Sequence, residues 1–212
     1  MSTSMSKRTQ MLCVSAMMIA LATILSLISK FIPALEMPFG GSITLCSMVP
    51  IVYISYRYGI KWGLFSGFVY SVLQLLTGMS ALKGLSAGSL VASLFLDYFI
   101  AFTVLGLGGM FRKAIPNKTL GFTLGVVVAG LLRFTCHVIS GFLLWATADN
   151  IAWLLGEGAL TTDIPFKWVQ FLYSLVYNGT YMIPDIIVAA IGAVIISLAA
   201  KQIFVTDEIK KA

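Results

Sequence analysis

Six apolar runs, separated by short stretches with prolines, glycines or charges, constrain this chain more than any other feature of its sequence. A helix needs roughly 20 apolar residues to cross about 30 Å of hydrocarbon. Hydrophobic residues form 59% of the 212 residues and charged residues only 10%, and the mean hydropathy is +0.97. This composition excludes a soluble domain. The sequence predicts an all-α integral membrane protein, a bundle of six transmembrane helices in a lipid bilayer.

A single membrane domain over residues 1–212 is expected, because no shift in composition marks a second domain. The predicted helices cover residues 11–32, 43–58, 62–80, 89–111, 119–147 and 168–203. The second run is short and contains Pro50, which predicts a kinked or tilted helix. The first run follows Lys7 and Arg8, as in a signal peptide, but it is long and has no clear small-residue cleavage site. We therefore expect it to be a retained helix.

The basic residues predict the orientation of the bundle. Sorted onto alternate sides, ten of them fall together: Lys7, Arg8, Arg57, Lys61, Arg112, Lys113, Lys118, Lys201, Lys210 and Lys211. The opposite side receives Lys30, Lys83 and Lys167. Under the positive-inside rule, this asymmetry predicts a multi-pass protein of the cell membrane with both termini in the cytoplasm. It also accounts for most of the net charge of +6, so no nucleic-acid partner is expected.

Ionisable side chains inside the apolar runs are the candidates for function, because such groups are costly in hydrocarbon. From the helical rise, Asp97 lies roughly 22 Å from the cytoplasmic end of the fourth predicted helix. Arg133 and His137 lie about 21 and 27 Å from the cytoplasmic end of the fifth. Tyr173 and Asn178 fall near the outer end of the sixth. The polar groups of three helices are therefore predicted to converge in the outer half of the bundle.

The fifth predicted helix presents one lining face, because Arg133, His137, Gly141 and Trp145 recur every four residues. For Arg133 a structural ion pair with Asp97 at similar depth is favoured over a ligand contact. For His137 a ligand contact is favoured over a structural role in which its hydrogen bonds are made within the bundle.

The residue inventory disfavours most catalytic sites. One histidine and three isolated cysteines, Cys13, Cys46 and Cys136, provide neither a zinc site nor a disulfide framework. No P-loop is present, so ATP hydrolysis by this chain is not expected, and no cofactor or metal is expected. A carboxylate, an imidazole, aromatic rings and an amide together suit a small heteroaromatic ligand.

Several segments, in this order and spacing, resemble one known family, the thiamin-specific substrate-binding (S) components of energy-coupling factor (ECF) vitamin transporters. They are Ala16 to Ala20, Pro50 to Gly59 with Lys61 to Gly63, Phe95 to Tyr98, His137 to Gly141 with Trp145, and Tyr173 to Gly179. The resemblance extends through nearly the whole chain. It implies a six-helix S component that binds thiamin from outside. Such a subunit would associate with a membrane coupling protein and two cytoplasmic ATPases, and would reorient to release the vitamin.

The resemblance also implies a set of ligand-binding residues: Asp97, Tyr98, His137, Trp145, Tyr173, Asn178 and Tyr70. Asp97 stands where the family normally has a glutamate, and Tyr70 stands where it has a tryptophan. The family's first-loop tryptophan has no clear equivalent, and Phe39 is expected to cover that side.

A small-xxx-small pair on the first helix, Ala16 and Ala20, would let another helix approach closely. The resemblance implies that this face binds the coupling protein. Two alternatives to thiamin transport stay open. The ligand could be a thiamin precursor such as a hydroxymethylpyrimidine, or another vitamin. In a different class, the chain could be a membrane-embedded enzyme with Asp97 and His137 as acid and base.

Overall fold

The structure, a computed structural model, describes residues 6–38 and 40–200. Phe39, the end of the last predicted helix and three basic residues used for orientation lie outside the described residues. The described residues are helical, apart from turns, loops and one isolated β-bridge. The helices are α1 (Lys7–Lys30), α2 (Met48–Tyr58), α3 (Ile60–Gly78), α4 (Ala87–Arg112), α5 (Lys118–Trp145), α6 (Ala148–Leu155) and α7 (Phe166–Ala199).

Within the described residues, five helices are long and apolar enough to cross a membrane: α1, α3 with its extension to Leu82, α4, α5 and α7. The predicted second helix is shorter than expected, because α2 begins only at Met48 and has 11 residues. Leu45 and Cys46 have positive φ angles of 39° and 70°, which a right-handed helix does not accommodate. Pro50 falls in the first turn of α2, where the missing N–H breaks no helical hydrogen bond.

α1 and α3 are parallel neighbours. Near their beginnings the indole of Trp62 donates a hydrogen bond of 2.8 Å to Ser15 Oγ. At their ends Lys30 Nζ donates one of 2.6 Å to the carbonyl of Thr77. Residues 31–59 must therefore return the chain from one end of the bundle to the other. We call the end where α1 and α3 finish the cavity end, and the end where they begin the closed end.

Near the closed end, α2, α3, α4 and α5 approach one another through glycines. Ser55 Oγ of α2 donates a hydrogen bond to the carbonyl of Gly106 in α4. Gly63 of α3 packs on that carbonyl group, where a Cβ atom would come within 2.7 Å of the oxygen. A Cβ on Gly108 would lie 3.0 Å from the carbonyl oxygen of Gly125 in α5. Side chains larger than hydrogen have no room at these crossings.

Towards the cavity end, two helices contain a π-helical segment: Leu94–Ile100 within α4 and Gly141–Trp145 within α5. A π-helical turn holds an extra residue and rotates the side chains that follow it, and such turns are frequent at functional sites. Beyond Trp145 the short helix α6 leads to α7. The two π-helical segments carry Asp97 and Trp145, and thus orient both towards the space between the helices.

Candidate functional site

A cavity of about 580 Å³ lies at the cavity end, between α1, α3, α4, α5, α7 and the segment that follows α1. This volume is in the range of pockets that hold small organic ligands. Six of the seven predicted ligand-binding residues line it: Asp97, Tyr98, His137, Trp145, Tyr173 and Asn178. The helices thus bring together residues that are up to 81 positions apart in the sequence, between Asp97 and Asn178.

The seventh, Tyr70, is fully buried one side chain behind the cavity wall. Its hydroxyl accepts a hydrogen bond from Gln74 Nε2, and its ring packs edge-on against Phe102 at 5.4 Å between centroids. Gln74 and Phe102 both line the cavity. Tyr70 therefore supports two lining side chains without lining the cavity itself.

Asp97 is the centre of the polar network in the cavity wall. Its Oδ2 accepts hydrogen bonds of 2.6 Å from Ser93 Oγ, 2.6 Å from Ser140 Oγ and 3.3 Å from Trp145 Nε1. Its Oδ1 lies 3.1 Å from His137 Nδ1, which donates because a carboxylate only accepts. The Asp97 side chain is 16% exposed. Four donors around a largely buried carboxylate stabilise its charged form.

Local sequence spacing explains two of these contacts. Ser93 precedes Asp97 by four residues and Ser140 follows His137 by three, so each pair shares a helix face. Sequence reasoning missed both serines, because a hydroxyl in an apolar helix usually bonds to its own backbone. Their spacing from the predicted acid and histidine is the signal that could have identified them.

The predicted ion pair between Arg133 and Asp97 is wrong. Arg133 Nη1 lies 3.5 Å from Asp185 Oδ2 on α7, and the guanidinium lies 4.4 Å from the centroid of the Phe102 ring. Arg133 and Asp97 lie at similar depth in the bundle but do not pair. The Asp97 carboxylate is bonded instead to His137, which lies one turn beyond Arg133. Rotation about the helix axis, which depth does not specify, determined the pairing.

Asp185, which sequence reasoning overlooked, is fully buried and fixes the segment before α2. Its Oδ1 accepts hydrogen bonds from the backbone N–H of Thr44 at 2.7 Å and from Thr44 Oγ1 at 3.0 Å. Thr44 Oγ1 in turn accepts one of 2.6 Å from Ser47. These bonds hold α7 to the residues that flank the left-handed turn at Leu45 and Cys46. An acidic residue inside an apolar run was the available signal.

Aromatic rings of α7 cover one side of the cavity. Tyr173 and Tyr177 stack with centroids 5.9 Å apart and an interplanar angle of 18°. Tyr181 meets the ring of His137 edge-on at 6.2 Å. Tyr177 and Tyr181 were not predicted, although they follow Tyr173 at intervals of four residues and share its helix face. The cavity therefore has an aromatic wall against which a flat ligand ring can stack.

The amide of Asn178 makes its hydrogen bonds within the protein. Its Nδ2 donates to the carbonyl of Ser174 at 2.8 Å and to that of His137 at 3.2 Å. Its Oδ1 accepts from the hydroxyl of Tyr181 at 2.7 Å. Asn178 thus joins α7 to α5 at the level of His137 and orients the Tyr181 ring.

At the rim, Tyr98 and two lysines surround the cavity. The hydroxyl of Tyr98 donates a hydrogen bond of 2.9 Å to the carbonyl of Gly78 and joins α4 to α3. Lys30, Lys83 and Glu36 also line the cavity at this level. The cavity lining therefore includes these charged groups together with the Asp97 carboxylate, the Arg133 guanidinium and aromatic rings.

Three polar atoms of cavity-lining side chains are buried without a hydrogen-bond partner in the described residues: His137 Nε2, Tyr173 Oη and Arg133 Nε. Buried polar atoms are normally satisfied, so three unsatisfied atoms on cavity-lining residues mark this wall as a candidate functional site. Among residues 6–38 and 40–200, no group of three or more His, Cys, Asp or Glu side chains could hold a metal ion. The chemistry available here is hydrogen bonding, stacking and attraction of positive charge.

Ala16 and Ala20 lie far from this cavity, in a shallow groove between α1 and α3. The other residues of this groove are Leu12, Ser15, Ile19, Trp62, Phe65, Ser66, Val69 and Leu73. Phe65 and Leu12 are 55% exposed. The groove is an apolar outer surface of the bundle with small residues at its centre.

Comparisons with known proteins agree with this architecture. The sequence profile of the family described as "Thiamine transporter protein (Thia_YuaJ)" matches residues 12–153. A relative from Bacillus subtilis (strain 168), "Thiamine transporter ThiT", is 34% identical over 202 residues, covering 91% of this chain and 93% of the relative. Another of the same name from Lacticaseibacillus paracasei is 26% identical, covering 84% and 80%.

A solved structure of ThiT from Listeria monocytogenes has a similar fold, with a TM-score of 0.68 and 23% identity. The similarity covers 94% of this chain and 99% of that one. The family profile spans more than half of the chain, and the Bacillus relative aligns over nearly its whole length. The chain belongs to the thiamine transporter protein family.

Proposed function

We propose that this chain is the substrate-binding S component of an ECF-type transporter, and that it captures thiamin from outside for ATP-driven uptake. One observation carries the proposal: Asp97, His137, Trp145 and Tyr173 come from three helices to line one cavity, in a member of the thiamine transporter family. Membership of a transporter family also disfavours the enzyme alternative, in which Asp97 and His137 would be acid and base.

The chemistry of thiamin suits this cavity. The vitamin has a permanently charged thiazolium ring and an aminopyrimidine ring that donates and accepts hydrogen bonds. The Asp97 carboxylate is the negative group available for either the amino N–H or the positive charge. His137 Nε2 and Tyr173 Oη have no hydrogen-bond partner among the described residues, and the rings of Tyr177 and Trp145 can stack on the vitamin.

We further propose six crossings, with both termini in the cytoplasm and the cavity facing outwards. Five helices have the length of a span, and the parallel arrangement of α1 and α3 supports one further crossing between them. Residues 42–47 reach at most about 20 Å and the 11 residues of α2 add about 16 Å, so together they can cross about 30 Å of hydrocarbon. The distribution of basic residues supports this orientation in the cell membrane, with residues 1–212 as one membrane domain.

The proposed partners are a membrane coupling protein and two cytoplasmic ATPases. The chain has no P-loop, so its transport energy would come from subunits that hydrolyse ATP. The groove around Ala16 and Ala20 is the proposed surface for the coupling protein, because small residues let a partner helix approach closely.

Fluorescence titration of the purified protein tests the substrate, since Trp145 lies in the cavity wall. Thiamin should quench tryptophan fluorescence and release heat in calorimetry, and bound vitamin should be recovered chemically unchanged. A hydroxymethylpyrimidine titrated in parallel distinguishes the precursor alternative, which predicts tighter binding of the precursor. Absence of both signals with excess thiamin in folded protein would contradict the proposal.

A further inference from the structure

The Asp97 carboxylate is held in place in the cavity wall, because protein donors surround one of its two oxygens. Ser93 and Ser140 each donate a hydrogen bond of 2.6 Å to Oδ2, and Trp145 Nε1 adds a third at 3.3 Å. Among residues 6–38 and 40–200, Oδ1 has a single partner, His137 Nδ1 at 3.1 Å. A carboxylate oxygen has two lone pairs, so Oδ2 is saturated and only Oδ1 has capacity to accept another donor.

The two serines come from different helices and are themselves fully buried. Ser93 lies one turn before Asp97 on α4, and Ser140 lies on α5, where the π-helical segment begins. Within the described part of the chain, neither hydroxyl bonds to the backbone of its own helix, which is the usual arrangement for a serine in an apolar helix. Both hydroxyls are instead committed to one oxygen of one side chain.

We propose that Ser93 and Ser140 are positioning residues for ligand binding: they fix Asp97 by its Oδ2 atom and leave Oδ1, beside His137, as the oxygen that meets the ligand. The inference rests on the proposed function, in which Asp97 contacts thiamin. It adds a geometric requirement for binding, since a ligand must present its N–H donor or positive charge at Oδ1.

The fixed carboxylate also reduces the entropic cost of binding a ligand. An unrestrained Asp97 could rotate about its side-chain bonds, and ordering it would reduce the free energy gained on binding. Two hydrogen bonds to a charged group remove that freedom before the ligand arrives. The serines therefore act on affinity through Asp97: Ser93 also lines the cavity, but its hydroxyl is donated to Asp97 Oδ2.

Alanine variants test this inference. Ser93→Ala and Ser140→Ala should each weaken thiamin binding about 10-fold, and the double variant roughly 100-fold, by the usual strength of a hydrogen bond to a charged group. In the Asp97→Asn background the two serine changes should together alter affinity less than about threefold, because residues that act through one partner are not additive. Ser71→Ala is the matched control, since the hydroxyl of this buried serine donates to the carbonyl of Phe68 in its own helix.

Infrared spectroscopy of the ligand-free protein gives a second measurement that needs no vitamin. The carboxylate stretch of Asp97, identified as the band lost in Asp97→Asn, should shift in Ser93→Ala and Ser140→Ala and stay in place in Ser71→Ala. An unchanged thiamin affinity in the double serine variant, or an unshifted band, overturns the positioning role and leaves the proposed function intact. If Asp97→Asn itself binds thiamin as tightly as the parent protein, the proposed role of Asp97 fails instead.

Discussion

The closed end and the cavity end of this bundle consist of the same apolar helices, but different contacts hold them together. At the closed end, glycines let α3, α4 and α5 touch backbone to backbone, and a Cβ on Gly108 would already lie 3.0 Å from the carbonyl oxygen of Gly125. At the cavity end the helices separate around about 580 Å³ and are joined by side chains such as Asp97 and Tyr98.

This difference between the two ends explains how a small membrane protein can be rigid and yet bind a ligand. Lipid provides no hydrophobic force between helices, so close packing at small residues and interhelical hydrogen bonds stabilise the bundle. Close packing of glycines at the closed end leaves no space for a ligand, whereas the helices at the cavity end enclose a pocket lined by polar and aromatic side chains. Changes at the closed end should therefore affect stability, and changes in the cavity wall should affect ligand affinity.

The largest effect is expected at the ion pair between Arg133, which lines the cavity, and the fully buried Asp185 behind it. Here a residue of the cavity wall also has a structural role. Removal of one charge leaves the other buried and unpaired, which costs about 3–5 kcal/mol of stability. Arg133→Gln and Asp185→Asn should each lower the thermal midpoint in detergent strongly. The combined change Arg133→Met with Asp185→Leu should be less harmful than either single change. A midpoint unchanged in both single variants would contradict a structural role for the pair.

Asp97→Asn, at the cavity end, should lower the affinity for thiamin without unfolding the protein. Loss of a buried charged contact costs about 2–5 kcal/mol, or 30-fold to several thousand-fold in the dissociation constant for thiamin. The variant should remain folded. Calorimetric titration measures the affinity, and Asp97→Glu is the matched control, expected within about tenfold of the parent protein. If Asp97→Asn binds thiamin with the affinity of the parent protein, the carboxylate does not contact the ligand.

Gly106→Val tests the other end. The new side chain would collide with the backbone of Gly63 and Leu64 in α3, and overpacking of this kind costs about 1–3 kcal/mol or more. The thermal midpoint should fall, while the protein that remains folded should bind thiamin with parental affinity. Gly158→Val is the control, because nothing lies within 4 Å of its Cβ position. A large loss of affinity in folded Gly106→Val would show that the two ends are coupled.

The smallest effect on the isolated protein is expected in the groove between α1 and α3. Ala16→Trp and Ala20→Trp add bulk to an outer surface, so stability and thiamin affinity should stay within experimental error of the parent values. Copurification with the coupling protein and vitamin uptake should be lost. Normal copurification in both variants would exclude this groove as the partner surface.

The sequence alone indicated much of this architecture, because the bilayer makes hydropathy a direct guide to helices. Five of the six apolar runs correspond to the five span-length helices of the described residues, and the second run contains the shorter α2. The polar residues expected at one depth, Asp97, His137 and Tyr173, line one cavity. Depth along a helix follows from counting residues at a constant rise, so no tertiary information was needed for it.

Tertiary structure decided what depends on rotation about the helix axes and on contacts between distant segments. The π-helical segments turned Asp97 towards Ser140 and Trp145, and Arg133 was left to pair with Asp185. The left-handed turn that shortens α2 is held in place by hydrogen bonds from Thr44 to Asp185, which lies 141 positions further along the chain. Hydropathy places a residue at a depth in the bilayer, but the partner of a buried polar group is chosen by the packing of all the helices around it.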